Sequence, residues 1–190
     1  MLNIPNTITL LRIVAVPFFL SLLVDGAYRP AFLVFLAAGF SDGLDGAIAR
    51  VTNARTELGA HLDPLADKLL LVSSFVALGV LGFVPTQLMI TVIMRDIVIL
   101  GGYMTTAVVT GRPMEMHPSL WGKMTTFLRI ASVTLVLMQL ADLVTIGTVP
   151  LGVLFGITAA ACFVSGAGYV VDGIKWYNQV TAEAEAKPRS

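Results

Sequence analysis

Six long apolar stretches dominate this sequence, and each is long enough to cross a lipid bilayer as one α-helix. A hydrocarbon core about 30 Å thick needs about 20 residues in helical form. Glycine, proline and aspartate separate the stretches, which favours separate helices joined by turns. The stretches are Ile8–Val24, Pro30–Ala49, Leu65–Phe83, Gln87–Val109, Met124–Leu143 and Val149–Val171.

The composition agrees with a membrane protein. Of the 190 residues, 56% are hydrophobic and 13% are charged, whereas a soluble domain has about 25% charged residues. The formal net charge is zero, so we expect no nucleic-acid partner. We predict an all-α polytopic membrane protein, a bundle of six transmembrane helices with a short N-terminal interfacial segment at Asn3–Asn6. We expect residues 1–178 to form one domain and residues 179–190 to form a polar, disordered tail.

The distribution of basic side chains predicts the orientation of this bundle. If the amino terminus is cytoplasmic, only Arg29 falls in an outside loop. The positive-inside rule therefore places both termini, and the loop between the second and third stretches, in the cytoplasm. The basic residues that then lie inside are Arg50, Arg55, Arg112, Lys175, Lys187 and Arg189.

Four aspartates around that loop carry the most unusual chemistry of the chain. Asp42 and Asp45 are three residues apart and Asp63 and Asp67 four apart, so each pair projects from one face of its helix. A short loop makes the two helices antiparallel neighbours, so the pairs can face each other. Crowded carboxylates at a membrane edge repel one another unless cations bind. Oxygen ligands favour Mg²⁺, Mn²⁺ or Ca²⁺. Helix capping, the simpler alternative, explains Asp63 before a proline but not all four.

Small and basic residues surround this predicted metal site. Gly46 and Ala49 lie on the same helical stripe as Asp42, because successive residues are about 100° apart. Gly59 precedes the second aspartate pair, and small residues leave room for a flat group. Arg50 adds a guanidinium beside the metals, an arrangement that suits a pyrophosphate ligand.

With these residues in place, the sequence resembles the CDP-alcohol phosphotransferase family. The family signature is D-x₂-D-G-x₂-A-R-x₈-G-x₃-D-x₃-D. It is matched at every fixed position, by Asp42, Asp45, Gly46, Ala49, Arg50, Gly59, Asp63 and Asp67. The six stretches and Gly122-Lys123 at the start of the fifth also resemble the family. The opening NIPNTITLLRI is similar to its glycerol-type members, the phosphatidylglycerophosphate synthases and the eukaryotic-type cardiolipin synthases.

The resemblance implies transfer of a phosphatidyl group from CDP-diacylglycerol to an alcohol, with release of CMP. It implies two divalent ions, Mg²⁺ or Mn²⁺, held by the four aspartates, of which Asp67 would also act as the general base. It implies that Gly46, Ala49 and Gly59 accommodate the cytidine and ribose and that Arg50 contacts the phosphates. On the same grounds we expect a homodimer in a bacterial inner membrane, with the active site facing the cytoplasm.

Charged residues inside the fourth and fifth stretches are candidates for the acceptor site, because a charge within a membrane span needs a partner or a polar cavity. We expect Arg95, Lys123 and Arg129 to bind the acceptor. Arg95 and Asp96 are adjacent and so about 100° apart on a helix, and we do not expect them simply to neutralise each other. A purely structural pairing of some of these cations with aspartates is the alternative.

The acceptor itself stays open at this point. Phosphatidylglycerophosphate synthases commonly have Arg-Glu in the fourth span, an arginine one or two turns later, and G-K-x-K-T. This chain has Arg95-Asp96, then Gly102-Tyr103, and GKMTT. Fewer cations weaken the case for glycerol-3-phosphate, a dianion. Arg-Asp resembles the cardiolipin synthases, whose acceptor is phosphatidylglycerol, a monoanion. Inositol phosphate and serine are further alternatives.

Two other classes of protein compete with this interpretation. Aromatic-acceptor prenyltransferases also hold Mg²⁺ on a pyrophosphate, but their aspartate motifs lie in separate halves of a longer chain. A cation-coupled transporter could use the carboxylates as an ion site, but its expected discontinuous helices or repeats are not visible in the sequence. Release of CMP from CDP-diacylglycerol distinguishes the three.

Overall fold

The computed structural model describes the backbone of residues 4–52, 57–110 and 120–186, and the side chains of residues 11–41, 68–106, 108–109 and 120–181. Over these ranges the secondary structure consists of α-helices and short turns, which confirms the all-α prediction. The helices are α1 (Ile4–Val24), α2 (Tyr28–Thr52), α3 (Glu57–Val80), α4 (Thr86–Thr110), α5 (Leu120–Leu140) and α6 (Thr148–Ala186).

The helices have the length and surface of a membrane protein. Three are long and apolar enough to cross a bilayer, in the segments Thr86–Thr106, Leu120–Leu140 and Thr148–Thr181. The other helices contain shorter apolar segments among the described side chains, namely Leu11–Val24, Tyr28–Ser41 and Lys68–Val80. Large apolar side chains such as Phe163 and Val108 are exposed on the outer surface, as expected where lipid surrounds the protein. Six membrane crossings stay a prediction.

The three short turns lie together at one end of the bundle. Gly26, in the first turn, has a φ of 72°, a left-handed conformation that glycine adopts easily because it lacks a Cβ. Arg29 Nε donates a hydrogen bond of 2.9 Å to the carbonyl of Ala141, which joins the first turn to the third. The rings of Tyr28 and Phe83 meet edge to face at 5.7 Å, which joins the first turn to the second.

The core forms where α1 packs on α2 and α3, and where α6 packs on α4 and α5. The rings of Phe19 on α1 and Phe35 on α2 are 5.9 Å apart. Ser132 Oγ on α5 and Thr158 Oγ1 on α6 are 3.1 Å apart, and small polar residues of this kind let membrane helices approach closely. Helix α5 also contacts α2 and α3, so α2, α3, α4 and α5 meet around one interior region.

The two ends of the chain differ from the sequence prediction. α1 begins at Ile4, so residues 4–6 are part of the first helix, and their position at the membrane interface stays a prediction. α6 continues to Ala186, so residues 179–186 are helical and the predicted disordered tail is wrong over this range. The physical reason is that residues 181–186 read TAEAEA, and alanine and glutamate are strong helix formers. Residues 187–190 lie outside the described range.

Candidate active site

Helices α2 and α3 carry the predicted metal ligands. Asp42 and Asp45 lie within α2, and Asp63 and Asp67 lie within α3, so both spacings are helical spacings in the structure. The two helices contact each other. At 1.5 Å per residue, each pair begins about 20 Å from the end of the bundle that holds the short turns. The four side chains lie outside the described side chains, so their convergence stays a prediction.

The remaining motif residues follow the same pattern. Gly46, Ala49 and Arg50 lie within α2, and Gly59 lies within α3. These residues also lie outside the described side chains. Their contacts with a CDP-lipid therefore stay a prediction as well.

A buried ion cluster between α4 and α5 is the most polar part of the described interior. Asp96 Oδ1 accepts hydrogen bonds from Arg95 Nη1 at 2.8 Å and from Arg129 Nη1 at 3.1 Å. Asp96 Oδ2 accepts a third hydrogen bond, from Arg129 Nη2 at 2.9 Å. Arg129 and Asp96 therefore form a bidentate pair, the geometry that holds a guanidinium most firmly against a carboxylate.

The direct pairing of Arg95 with Asp96 corrects the expectation that these neighbours would not neutralise each other. Their Cα atoms project about 100° apart around the helix. The arginine side chain, however, is long and flexible enough to turn back onto the next residue. Asp96 thus neutralises one of two arginines, and the cluster of Arg95, Asp96 and Arg129 keeps one net positive charge.

Side chains from α6 and α3 complete the surroundings of the two arginines. Arg95 Nη2 donates a hydrogen bond of 3.2 Å to Ser165 Oγ, and the Arg95 guanidinium lies 5.8 Å from the ring centre of Tyr169. The Arg129 guanidinium lies 5.9 Å from the ring centre of Phe75. These distances are near the outer limit of a cation–π contact. The sequence analysis did not select Ser165, Tyr169 or Phe75. Ser165 and Tyr169 are four residues apart and therefore share one face of α6, and this spacing was the available signal for these two.

The cluster is removed from solvent but still has unused donors. Arg129 is only 3% exposed, and the side chains of Arg95 and Asp96 are 10% and 12% exposed. Nε of Arg95 and Nε of Arg129 are buried and have no hydrogen-bond partner among the described residues. Buried polar groups in native proteins nearly always have a partner. These two N–H groups can therefore donate to a ligand that reaches them.

A cavity of about 440 Å³ lies beside the cluster, enclosed by α2, α3, α4 and α5. This volume is within the usual range for a small-molecule site. The lining residues on α2 directly precede Asp42, and those on α3 directly follow Asp67, so the cavity adjoins the predicted metal site along both helices. The lining comprises Phe35, Leu36, Gly39, Phe40, Lys68, Leu70, Leu71, Arg95, Asp96, Thr126, Arg129, Ile130 and Thr134.

The structure brings together two of the three predicted acceptor residues. Arg95 and Arg129 both line the cavity and share Asp96. Lys123 is exposed near the start of α5 and does not line the cavity. Lys68, which sequence reasoning did not select, lines the cavity with its side chain exposed. Its position next to Asp67 in the motif was the available signal.

The chain is similar to known proteins over the region that contains this site. A family model for CDP-alcohol phosphatidyltransferases matches residues 2–165, a range that contains the aspartate motif and the cluster on α4 and α5. The chain is 34% identical over 146 residues to a protein of Mycobacterium tuberculosis strain H37Rv named "Probable phosphatidylglycerophosphate synthase", an alignment covering 73% of this chain and 68% of that protein.

Two further relatives extend the comparison. A CDP-diacylglycerol–glycerol-3-phosphate 3-phosphatidyltransferase of Bacillus subtilis strain 168 is 29% identical over 154 residues, covering 73% of this chain and 78% of the relative. The CMP-forming cardiolipin synthase of Homo sapiens is 39% identical over 99 residues, covering 52% of this chain and 33% of the relative. Since the family model covers most of the sequence and the motif is complete, the chain belongs to the CDP-alcohol phosphatidyltransferase family.

Proposed function

We propose that this protein transfers the phosphatidyl group of CDP-diacylglycerol to a glycerol hydroxyl, either of glycerol-3-phosphate or of phosphatidylglycerol, and releases CMP. Family membership makes it a transferase of phospholipid synthesis. The observation that carries the proposal is the position of the aspartate motif on α2 and α3, next to a cavity with a buried cation cluster. The names of the relatives support a glycerol acceptor.

The donor set of the motif fits divalent cations. Asp42, Asp45, Asp63 and Asp67 offer only carboxylate oxygens, on two helices that contact each other, and such ligands suit Mg²⁺ or Mn²⁺. Two ions held there would supply positive charge that stabilises the attacking and leaving oxygens of an in-line displacement.

The protein residues would bind the donor lipid and move one proton. Gly46, Ala49 and Gly59 leave room for the cytidine and ribose, and Arg50 pairs with the phosphates. The acceptor oxygen forms a bond to the phosphorus of the phosphatidyl group while the bond from that phosphorus to the CMP oxygen breaks. Asp67 acts as the general base and takes the proton of the acceptor hydroxyl.

The acceptor would enter the cavity between α2, α3, α4 and α5. Its phosphate would lie against Arg95 and Arg129, whose Nε–H groups are buried and lack partners among the described residues. Lys123 was predicted as a third ligand of the acceptor. It is exposed and lies outside the cavity, so its position does not support that role. We therefore assign acceptor binding to the two arginines.

The membrane arrangement is part of the same proposal. The apolar helices and the bacterial relatives indicate a membrane protein. We propose six crossings of a bacterial inner membrane, with both termini and the active site on the cytoplasmic side, because basic residues concentrate there. We propose a single domain and a homodimer, as the family resemblance implies. Family membership leaves no support for the prenyltransferase or transporter alternatives.

The test is CMP release by the purified, full-length protein. We expect CMP from CDP-diacylglycerol only when Mg²⁺ or Mn²⁺ and a glycerol acceptor are both present. Glycerol-3-phosphate and phosphatidylglycerol are supplied in parallel, and inositol phosphate and serine serve as comparison acceptors. Turnover with inositol phosphate or serine alone would refute the glycerol assignment. A protein that is folded but releases no CMP with any acceptor would refute the proposed activity.

A further inference from the structure

The charge of the buried cluster constrains which acceptor the cavity can take. Asp96 accepts hydrogen bonds from both Arg95 and Arg129, so two cations and one anion leave one net positive charge. Lys68 also lines the cavity, but its side chain is exposed, so its charge is not part of the buried cluster. In a region shielded from water, a bound anion is stable only when its charge is matched.

On the basis of the proposed function, we infer that the acceptor is a monoanionic phosphodiester carried by a lipid, and not a dianionic phosphate monoester. Of the two glycerol acceptors above, this selects phosphatidylglycerol. A single phosphodiester charge balances the cluster. The second charge of glycerol-3-phosphate would leave one negative charge uncompensated beside Asp96.

The two arginines keep hydrogen-bond donors for a phosphate. The terminal nitrogens of Arg129 donate to Asp96, and those of Arg95 donate to Asp96 and Ser165. Each of these nitrogens carries a second N–H, and the two Nε–H groups have no partner among the described residues. The non-ester oxygens of a phosphodiester can accept from these donors, and the charge of the cluster, not the number of donors, distinguishes a diester from a monoester.

The rim of the cavity agrees with a lipid. Phe40 on α2 is 68% exposed and Ile130 on α5 is 46% exposed, and both line the cavity. These residues belong to the apolar outer surface of the bundle. Leu36 and Leu71 continue the apolar lining towards the interior. A lipid acceptor can therefore keep its acyl chains against this rim while its headgroup reaches the arginines. A water-soluble acceptor has no acyl chains, so the rim adds nothing to its binding.

The first experiment compares three acceptors with the full-length protein in neutral-lipid nanodiscs that contain CDP-diacylglycerol and Mg²⁺. They are phosphatidylglycerol, its deacylated form glycerophosphoglycerol, which is a soluble monoanionic diester, and glycerol-3-phosphate. We expect kcat/KM to fall in that order, with phosphatidylglycerol at least about tenfold above glycerol-3-phosphate. If glycerol-3-phosphate is the best acceptor, the inference is wrong while the proposed function stands. If none of the three gives CMP, the proposed function itself fails.

The second experiment changes the cluster charge. Asp96→Asn keeps an oxygen that can accept from Arg129 but raises the net charge by one unit. We expect the ratio of kcat/KM for glycerol-3-phosphate to that for glycerophosphoglycerol to rise about tenfold. Asp172→Asn is the matched control, since this exposed residue of α6 lies outside the cavity, and its ratio should equal that of the wild type. If Asp96→Asn gives the same ratio of the two kcat/KM values as Asp172→Asn, the charge of the cluster does not set the acceptor preference. The wild-type acceptor order decides the inference even if Asp96→Asn does not fold.

Discussion

Replacing Asp96 with leucine should destabilise the bundle strongly, because it removes the only counter-ion that the described structure gives to two buried arginines. Asp96 accepts three hydrogen bonds, at 2.8, 3.1 and 2.9 Å, from Arg95 and Arg129. Leucine has a similar volume but can accept none of them. The variant therefore holds two like charges in a region where the side chain of Arg129 is 4% exposed.

The magnitude follows from the cost of breaking a buried ion pair. Removing one partner of such a pair typically costs about 3–5 kcal/mol, since the remaining charge is left uncompensated. For a chain of this size, 1 kcal/mol corresponds to a change in Tm of about 2–4 °C. We therefore expect the Tm of Asp96→Leu to be lower than that of the wild type by about 6–20 °C.

Cys162 provides the assay. It is the only cysteine of the chain and its side chain is fully buried. A thiol-reactive fluorogenic dye should therefore label the protein in detergent only when the bundle unfolds, and its fluorescence on heating gives Tm. Asp172→Leu, on the exposed side of α6, is the matched control and should stay within about 2 °C of the wild type, because surface substitutions usually change stability by less than about 0.5 kcal/mol.

A double variant separates charge imbalance from simple loss of packing. Asp96→Leu combined with Arg129→Met removes the carboxylate and one of the two arginines together. Replacing both partners of a buried pair with apolar residues is often nearly neutral, so we expect the double variant to recover at least half of the lost Tm. The reasoning is refuted if Asp96→Leu lowers Tm by less than about 3 °C. It is also refuted if the decrease in Tm of the double variant equals the summed decreases of Asp96→Leu and Arg129→Met.

Three predictions concern activity. Asp42→Asn or Asp63→Asn should abolish CMP release without changing the Tm measured with the cysteine probe. Asp172→Asn is the control and should keep normal turnover. Near-normal activity in either motif variant would contradict the metal assignment. Arg95→Ala should raise the KM of the acceptor about tenfold, as expected for a hydrogen bond to a charged group, and leave the KM of CDP-diacylglycerol nearly unchanged. Lys123→Ala should change neither KM more than about twofold, and the reverse ranking of these two variants would contradict the cavity assignment. A chelator should stop CMP release, and added Mg²⁺ or Mn²⁺ should restore it; turnover that persists in the chelator would exclude a metal-dependent reaction.

The described structure has the motif residues on helices, as the sequence predicted, because helix formation depends on local geometry. Three- and four-residue spacings project side chains to one face of any α-helix, and Asp42, Asp45, Asp63 and Asp67 do lie within α2 and α3. The family assignment rests on the same local pattern. The end of α6 was missed because the apolar period stops near Val171, whereas the helix continues through polar residues with high intrinsic propensity.

The sequence by itself determined that the protein is helical, apolar on its outside, and equipped with the aspartate motif of one enzyme family. Only the tertiary structure decided which charges share a site. Arg95, Asp96 and Arg129 meet because α4 and α5 pack around the same interior region, and Ser165 joins them because α6 packs against α4. Helical periodicity fixes the direction of a side chain relative to its own axis, but contacts between helices depend on how the axes pack. The net charge of this cluster is therefore a property of the folded bundle.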